Sequence, residues 1–282
     1  MNLCAIRYFV VKSSLTLYPL DNGMEPKDLF TFPIFSSKEV GYYKKVYTTR
    51  LINNNPDDRF LIGYLLKSTD LHLIRLDEKL FNEEDIQNWE KLFFVIDTER
   101  QIIAFENQSN IASPENVKNV LDLLTREPAK SQGYEVKLEF LVDKFAFWDL
   151  IKNSGGIYQI AFALNAPNLF GGRKKANEWL GELKKKHNMT KVAVDFRNER
   201  AALSYEAEEL ESYRDYADSG GGSWTLGILE NGRKKRYKSE KHLRKEELDL
   251  NTDNPQMLRE NTESIIRQLQ EVLNRLDDLE HE

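Results

Sequence analysis

The sequence predicts an α+β protein: two α/β subdomains with mixed sheets, followed by a long amphipathic C-terminal helix. Three observations carry this. Short runs rich in Val, Ile, Phe and Tyr, bounded by turn residues, recur through the first half. Strand-like and helix-like segments alternate in the second half. The last 28 residues carry apolar positions at alternating spacings of three and four. The 282-residue chain is 40% hydrophobic and 11% aromatic, enough to fill such cores.

Residues 2–19 are expected to be extended, with Phe9, Val10, Val11, Leu15, Leu17 and Tyr18 as strand formers. A loop punctuated by Gly23, Pro26 and Pro33 covers 21–37. Residues 42–51 favour a strand, and Asn53 to Asp58 a turn. Residues 60–67 and 71–76 form two strands around Ser68-Thr69-Asp70. Residues 92–106 form a β-hairpin through Asp97-Thr98-Glu99-Arg100, whose charges suit turn chemistry and solubility. Ser113 caps a helix that Pro114 opens; Val117, Val120, Leu121 and Leu124 give its apolar face, and Pro128 ends it.

Residues 129–133 have the composition of a linker and suggest a boundary near 130. The expected domains are therefore 1–130 (β-rich), 131–254 (α/β with a basic hairpin) and 255–282 (the terminal helix). In the second, strands at 136–142, 157–164 and 191–196 alternate with helices at 143–153 and 173–187, the latter turning Trp179, Leu180 and Leu183 inward. Residues 201–205 are expected to pair with the strand at 191–196. An acidic helix at 206–218 ends in Gly220-Gly221-Gly222, whose position after a helix suits a C-cap and hinge. A second hairpin turns at Asn231-Gly232. Asn254-Pro255 starts the final helix, in which Leu258, Thr262, Ile265, Leu269, Val272, Leu276 and Leu279 form a heptad seam interrupted by Thr262. Homo-oligomerisation through Ile265, Leu269, Val272 and Leu276 is expected, the alternative being packing on the protein's own body.

The net charge of −6 gives no global pull toward nucleic acid or anionic lipid. A local cluster changes this. Arg233, Lys234, Lys235, Arg236, Lys238, Lys241, Arg244 and Lys245 fall within 13 residues that hold one acid, Glu240. Such a cluster attracts phosphate and releases counterions, and Tyr237 and His242 could stack on bases. The bland reading is a solvated hairpin balanced by the acidic helix at 206–218. A second cluster, Arg173, Lys174 and Lys175, follows Gly171-Gly172, but that pair matches neither phosphate-binding glycine fingerprint.

Other chemistries find little footing. The single cysteine, Cys4, cannot form an internal disulfide and lies in an apolar run, which suits a buried strand residue. The four histidines are dispersed without metal-ligand spacing, so no metal and no cofactor is expected. Nucleophilic hydrolase motifs are absent. A nuclease-like fragment, Glu135-x-Lys137 with Glu115 and Asp122 upstream, would hold Mg²⁺ if these converged, although both upstream acids fall on a helix. The chain shows no membrane-length apolar run and no signal-peptide pattern, so a cytoplasmic location is expected.

The central hairpin at 93–106, followed by a strand, Asn165-Ala166-Pro167-Asn168-Leu169-Phe170, a helix through Trp179 and Leu183 and the strand at 191–196, is similar in layout to prokaryotic phage-exclusion and anti-phage defence proteins, of the lambdoid Rex and Kiwa B-subunit types. That resemblance implies a DNA-binding, oligomeric, non-catalytic protein of antiviral defence. It rests on layout over about residues 90–200, so it assigns no functional residues. The leading expectation is thus a protein that binds nucleic acid or a phage component, the alternatives being a Mg²⁺-dependent nuclease and a protein-interaction subunit.

Overall fold

A computed structural model describes residues 1–12, 25–53, 58–76, 81–165, 174–187, 189–206 and 208–277. In chain order its elements are β1 (Asn2–Lys12), α1 (Asp28–Phe35), β2 (Val40–Tyr42), β3 (Lys45–Leu51), β4 (Phe60–Leu76), β5 (Phe81–Asp97), β6 (Ile102–Glu106), α2 (Pro114–Ser131), β7 (Tyr134–Phe140) and α3 (Ala146–Lys152). There follow β8 (Ile157–Asn165), α4 (Lys174–His187), β9 (Lys191–Arg197), α5 (Glu208–Tyr216), β10 (Gly222–Glu230), β11 (Arg233–Lys238), β12 (Lys245–Glu247), α6 (Pro255–Glu260) and α7 (Thr262–Asp277). The fold is α+β. One sheet runs β12-β1-β6-β5-β4-β3-β2, with β7 also on β1, and the other runs β11-β10-β8-β9. The expectation of mixed sheets narrows, because these named strands all pair antiparallel.

β1 is the spine of the larger sheet, and its nearly continuous apolar run follows from having both faces covered. Alternation sends Cys4, Ile6, Tyr8 and Val10 toward α1 and α2, where Tyr8 stacks on Phe30 at 4.0 Å. Leu3 and Ala5 face the other way, into the layer formed by α6 and α7. In that layer Ile265, Leu269, Val272 and Leu276 are all at most 3% exposed. This corrects the expected dimer seam: those side chains are spent against β4, β5 and β6 of the same chain. Three arginines fasten the C-terminal end of α7, where carbonyl dipoles favour cations. Arg7 engages Asp277, Arg100 donates to Asn274, and Arg244 donates to the Leu276 carbonyl at 2.8 Å.

The expected boundary at 130 is also corrected. α2 runs through it, because Ala129 is fully buried and Pro128, close to the helix end, gives up one hydrogen bond only. β7 lies beyond the boundary yet pairs with β1 and packs Val136, Leu138 and Phe140 onto the core beneath α2. β12, α6 and α7 then return to the first sheet. The smaller sheet and its helices are therefore an insertion between β7 and β12. The two parts meet at a π-helical turn, Ala217–Gly221, where the Val142 N–H donates to the Asp218 carbonyl and Arg7 donates to the Ser219 carbonyl. Gly220 adopts φ +83° there, and a Cβ would stand 2.7 Å from the Arg7 Cβ, so the junction requires glycine.

Smaller differences have local causes. The expected loop at 21–37 contains α1, because Leu29, Phe30 and Ile34 bury a face of it despite Pro33. Residues 40–51 form a hairpin, with Tyr43 and Lys44 at φ 45° and 62° in its turn. The two strands expected at 60–76 are one, paired throughout with β5. The terminal helix is two, since the Thr262 hydroxyl donates to the carbonyls of Leu258 and Arg259 at the break. Of residues 2–19, the part from 13 lies outside the described residues, as does 54–57 of the expected turn. Trp179 is 37% exposed and Leu183 half-buried, so among the described side chains of α4 Leu180 is the buried one. Residues 201–205 are not paired with β9, which pairs with β8; Ala202 bridges Ile157 instead.

Candidate nucleic-acid interface

The β10–β11 hairpin turns at Asn231 and Gly232, with φ 50° and 75°, as Asn-Gly favours. A strand presents successive side chains to opposite faces, so the basic run splits. On one face Tyr237 pairs in register with buried Leu226, and Lys235 with buried Ile228. That face packs on helices: Phe147, Ile151, Leu180, Leu210 and Tyr216 share a core with Ile160, Phe162, Leu164 and Trp224. There Lys235 engages Glu230, and the Tyr237 hydroxyl donates to Glu230 at 3.2 Å.

The opposite face carries Lys234, Arg236 and Lys238. It continues across small residues: Thr225 and Gly227 of β10, Ala161 and Ala163 of β8, and Ala193 of β9. Ala193 is exposed and Ala161 and Ala163 half-buried, and no helix among the described residues covers this face. Arg236 and Lys238 are exposed and, among the described residues, form no ion pair. Across the face, Asp195 accepts from Gln159 at 3.1 and 3.2 Å and from Arg197 at 2.6 Å. The Arg197 hydrogen bond holds the Asp195 carboxyl below its ordinary range, with Gln159 and the nearby charge of Arg236 adding to the effect.

At one end of this face lies Tyr158. A bulge between Gly227 and Ile228 places it beside Gln159 and turns its ring over Gly227. A Cβ on Gly227 would approach the ring carbon Cζ to 2.6 Å, so only glycine lets the ring lie this close to the strand. The Tyr158 hydroxyl donates to the Lys235 carbonyl at 3.2 Å, and the Lys234 ammonium stands 5.1 Å from the ring centre. The sequence signal was present in Tyr158 and Gly227, but the bulge that joins them is not legible from composition.

The other expected contact residues go elsewhere. Arg233 is exposed on the turn side of the hairpin, opposite Glu230. Lys241 lies 3.9 Å from Glu115 at the start of α2. Arg244 is committed to α7, and Lys245 is on β12 in register with Cys4. Arg173 lies outside the described residues; Lys174 and Lys175 open α4, and their side chains lie outside the description. His242 stacks 5.9 Å from Trp224, with Tyr237 at 6.3 Å, so these two rings pack inward and do not offer themselves to bases. Burial lowers the His242 imidazole below its ordinary value. In the acidic helix, Asp215, Asp218 and Glu211 surround Arg214, at 2.7, 3.4 and 3.9 Å.

Asp122, Glu135 and Lys137 do line one groove, between α2 and β7, with a volume of about 540 Å³. Yet Asp122 engages Arg126 and Glu135 engages Lys137, while Glu115 lies in a neighbouring groove. Among the described residues no group of three or more His, Cys, Asp or Glu is placed to hold a metal ion. Cys4 is fully enclosed, and burial raises its thiol to about 11, which suits packing and not nucleophilic attack. Asp97, also fully buried, receives the Glu99 and Arg100 N–H groups at 3.1 Å and the Arg59 guanidinium at 2.9 Å, a turn brace. No helix among the described residues is long and apolar enough to cross a membrane.

The class is thus an α+β protein whose inserted four-stranded antiparallel sheet carries helices on one face and exposed cations on the other. The chain belongs to the family described as a domain of unknown function, DUF4747, whose model matches residues 34–267. No curated protein matches it.

Proposed function

We propose that this protein binds nucleic acid, without acting on it chemically, through the open face of the smaller sheet. One observation supports the reading: strand alternation delivers Lys234, Arg236 and Lys238 to one face, which no described helix covers, with Arg236 and Lys238 free of ion pairs among the described residues. Cations presented over a floor of Ala, Gly and Thr let a phosphate backbone approach closely while counterions leave. The setting, antiviral defence, is part of the proposal and rests on the resemblance to phage-exclusion proteins.

The test is fluorescence anisotropy of labelled oligonucleotides at 50 to 200 mM salt, with Lys234, Arg236 and Lys238 replaced together by Ala. Each phosphate contact contributes roughly 0.7 to 0.9 to the slope of log affinity on log salt. The triple replacement is expected to weaken binding and reduce that slope by about 2. Absence of binding in dilute buffer, or an unchanged slope in the variant, overturns the proposal. Cleavage that needs Mg²⁺ and disappears in Glu135→Ala overturns its non-catalytic part.

A further inference from the structure

The geometry of the same face points to a narrower ligand: we infer that it takes a single-stranded nucleic acid, with one base stacked on Tyr158. This rests on the nucleic-acid reading above and specifies its substrate class.

The argument starts from shape. Four strands about 4.8 Å apart make a platform roughly 14 Å from first to last strand axis. The platform is floored by Ala161, Ala163, Ala193, Thr225 and Gly227. A duplex hides its base faces in the stack and is read through its grooves by a helix or ribbon that enters them. A floor of small side chains enters no groove. It fits unstacked bases laid across the strands, with phosphates at the rim.

The aromatic group is placed accordingly. Tyr158 rests over Gly227, which lacks the Cβ that would lift the ring, and its hydroxyl is tied to the Lys235 carbonyl. Ring orientation is therefore set before any ligand arrives, so little ordering cost remains on binding. The Lys234 ammonium sits 5.1 Å from the ring centre. Lysine is a flexible point charge. A base arriving on the ring displaces it toward the neighbouring phosphate, which exchanges a cation–π contact for an ion pair. Arg236 is two residues along the same strand, on the same face, and provides the next phosphate contact. The Gln159–Asp195–Arg197 group lies beside it, where Asp195 accepts from both neighbours and holds the Arg197 guanidinium in place.

Binding is measured with a 12-nucleotide single strand, as DNA and as RNA, and with the matching duplex, each at two salt concentrations. The single strand is expected to bind at least tenfold tighter than the duplex. Tyr158→Leu, which keeps an apolar group over Gly227 and loses the ring face, is expected to weaken single-strand binding by about tenfold, within the usual range for one stacked base, without changing the salt slope. Tyr158→Phe keeps the ring and is expected to retain most of the affinity. Arg236→Ala is expected to lower the slope by about 0.7. Duplex binding as tight as single-strand binding, with Tyr158→Leu neutral, overturns this inference while leaving the basic face as a nucleic-acid site. Absence of salt-dependent binding to every probe overturns both. A Tyr158→Leu protein that unfolds is distinguished by its circular dichroism, and Tyr158→Phe against Arg236→Ala then decides: a lost affinity in the Phe variant with an unchanged slope in the Ala variant counts against the inference.

Discussion

Leu269→Ala tests whether the C-terminal helix belongs to this chain's own core. Leu269 has no exposed surface and lies among Ile265, Val272 and Leu273 on one side and the apolar face of the large sheet on the other. The truncation removes three carbons from a site with rigid strands on one wall, so the gap closes only in part. Replacements of this kind cost about 2 to 5 kcal/mol, and full enclosure places this one in the upper half of that range. For a chain of this size each kcal/mol lowers the melting temperature by roughly 2–4 °C, so a fall on the order of 10 °C is expected. The assay is thermal and urea unfolding followed by circular dichroism at two protein concentrations a hundredfold apart. An intramolecular seam gives the same midpoint at both concentrations and the same mass before and after mutation. A midpoint that rises with concentration, or a variant that keeps its stability while its mass halves, would show that the seam joins two copies and refute the assignment.

Two further outcomes are expected. Burial raises the Asp218 carboxyl from its ordinary 3.8 to about 7, against the opposing effects of Trp224 and Arg214. An acid that holds its proton more tightly when folded stabilises the fold fully below its ordinary value and loses that contribution as pH climbs toward 7. The loss is on the order of 4 kcal/mol as an upper bound, and Asp218→Asn is expected to flatten the decline in urea midpoint between pH 5 and 7.5; an equal decline in that variant refutes the assignment. Arg244→Ala, which removes a donor to the Leu276 carbonyl at 2.8 Å, is expected to lower thermal stability while leaving oligonucleotide affinity within twofold; a large loss of affinity with unchanged stability would return Arg244 to the binding surface.

Much of the fold was legible in the sequence where local and tertiary preferences agree. The hairpins at Asp97–Arg100 and Asn231-Gly232 and the Ser113-Pro114 start of α2 are cases in which turn or cap chemistry and burial ask for the same conformation. Disagreement marks the misses. Pro33 punctuates an expected loop and Pro128 an expected helix end, yet burial of Ile34 and Ala129 keeps both segments helical. The boundary near 130 looked real because chain neighbours change character there. Its partners lie far off: β7 pairs with β1, and Met1 donates to the Leu248 carbonyl at 2.7 Å, 247 residues away. Pairing at such separation leaves no mark on a local window. The heptad seam illustrates a different limit, since a face that buries on a sheet and a face that buries on a second helix need the same apolar spacing.

The basic run shows why charge counted along a chain overstates charge presented in space. Eight cations in 13 residues suggest one dense patch. The strand's period of two sends Lys235 to the helix-covered side, chain reversal after Lys238 carries Lys241 toward α2, and Arg244 caps α7. What remains on the open face is smaller, but it is better placed. Cations at every second position of β11 stand about 6.8 Å apart along the strand, close to the spacing between phosphates of an extended single strand. Cross-strand neighbours supply Arg197 and, through the bulge, Tyr158. A solvated charge run would gain nothing from such a register or from the glycine beneath the ring. On the proposed reading, a surface that holds alternating phosphates and bases uses both, and the alternation that thins the patch also gives it a pattern a single strand can match.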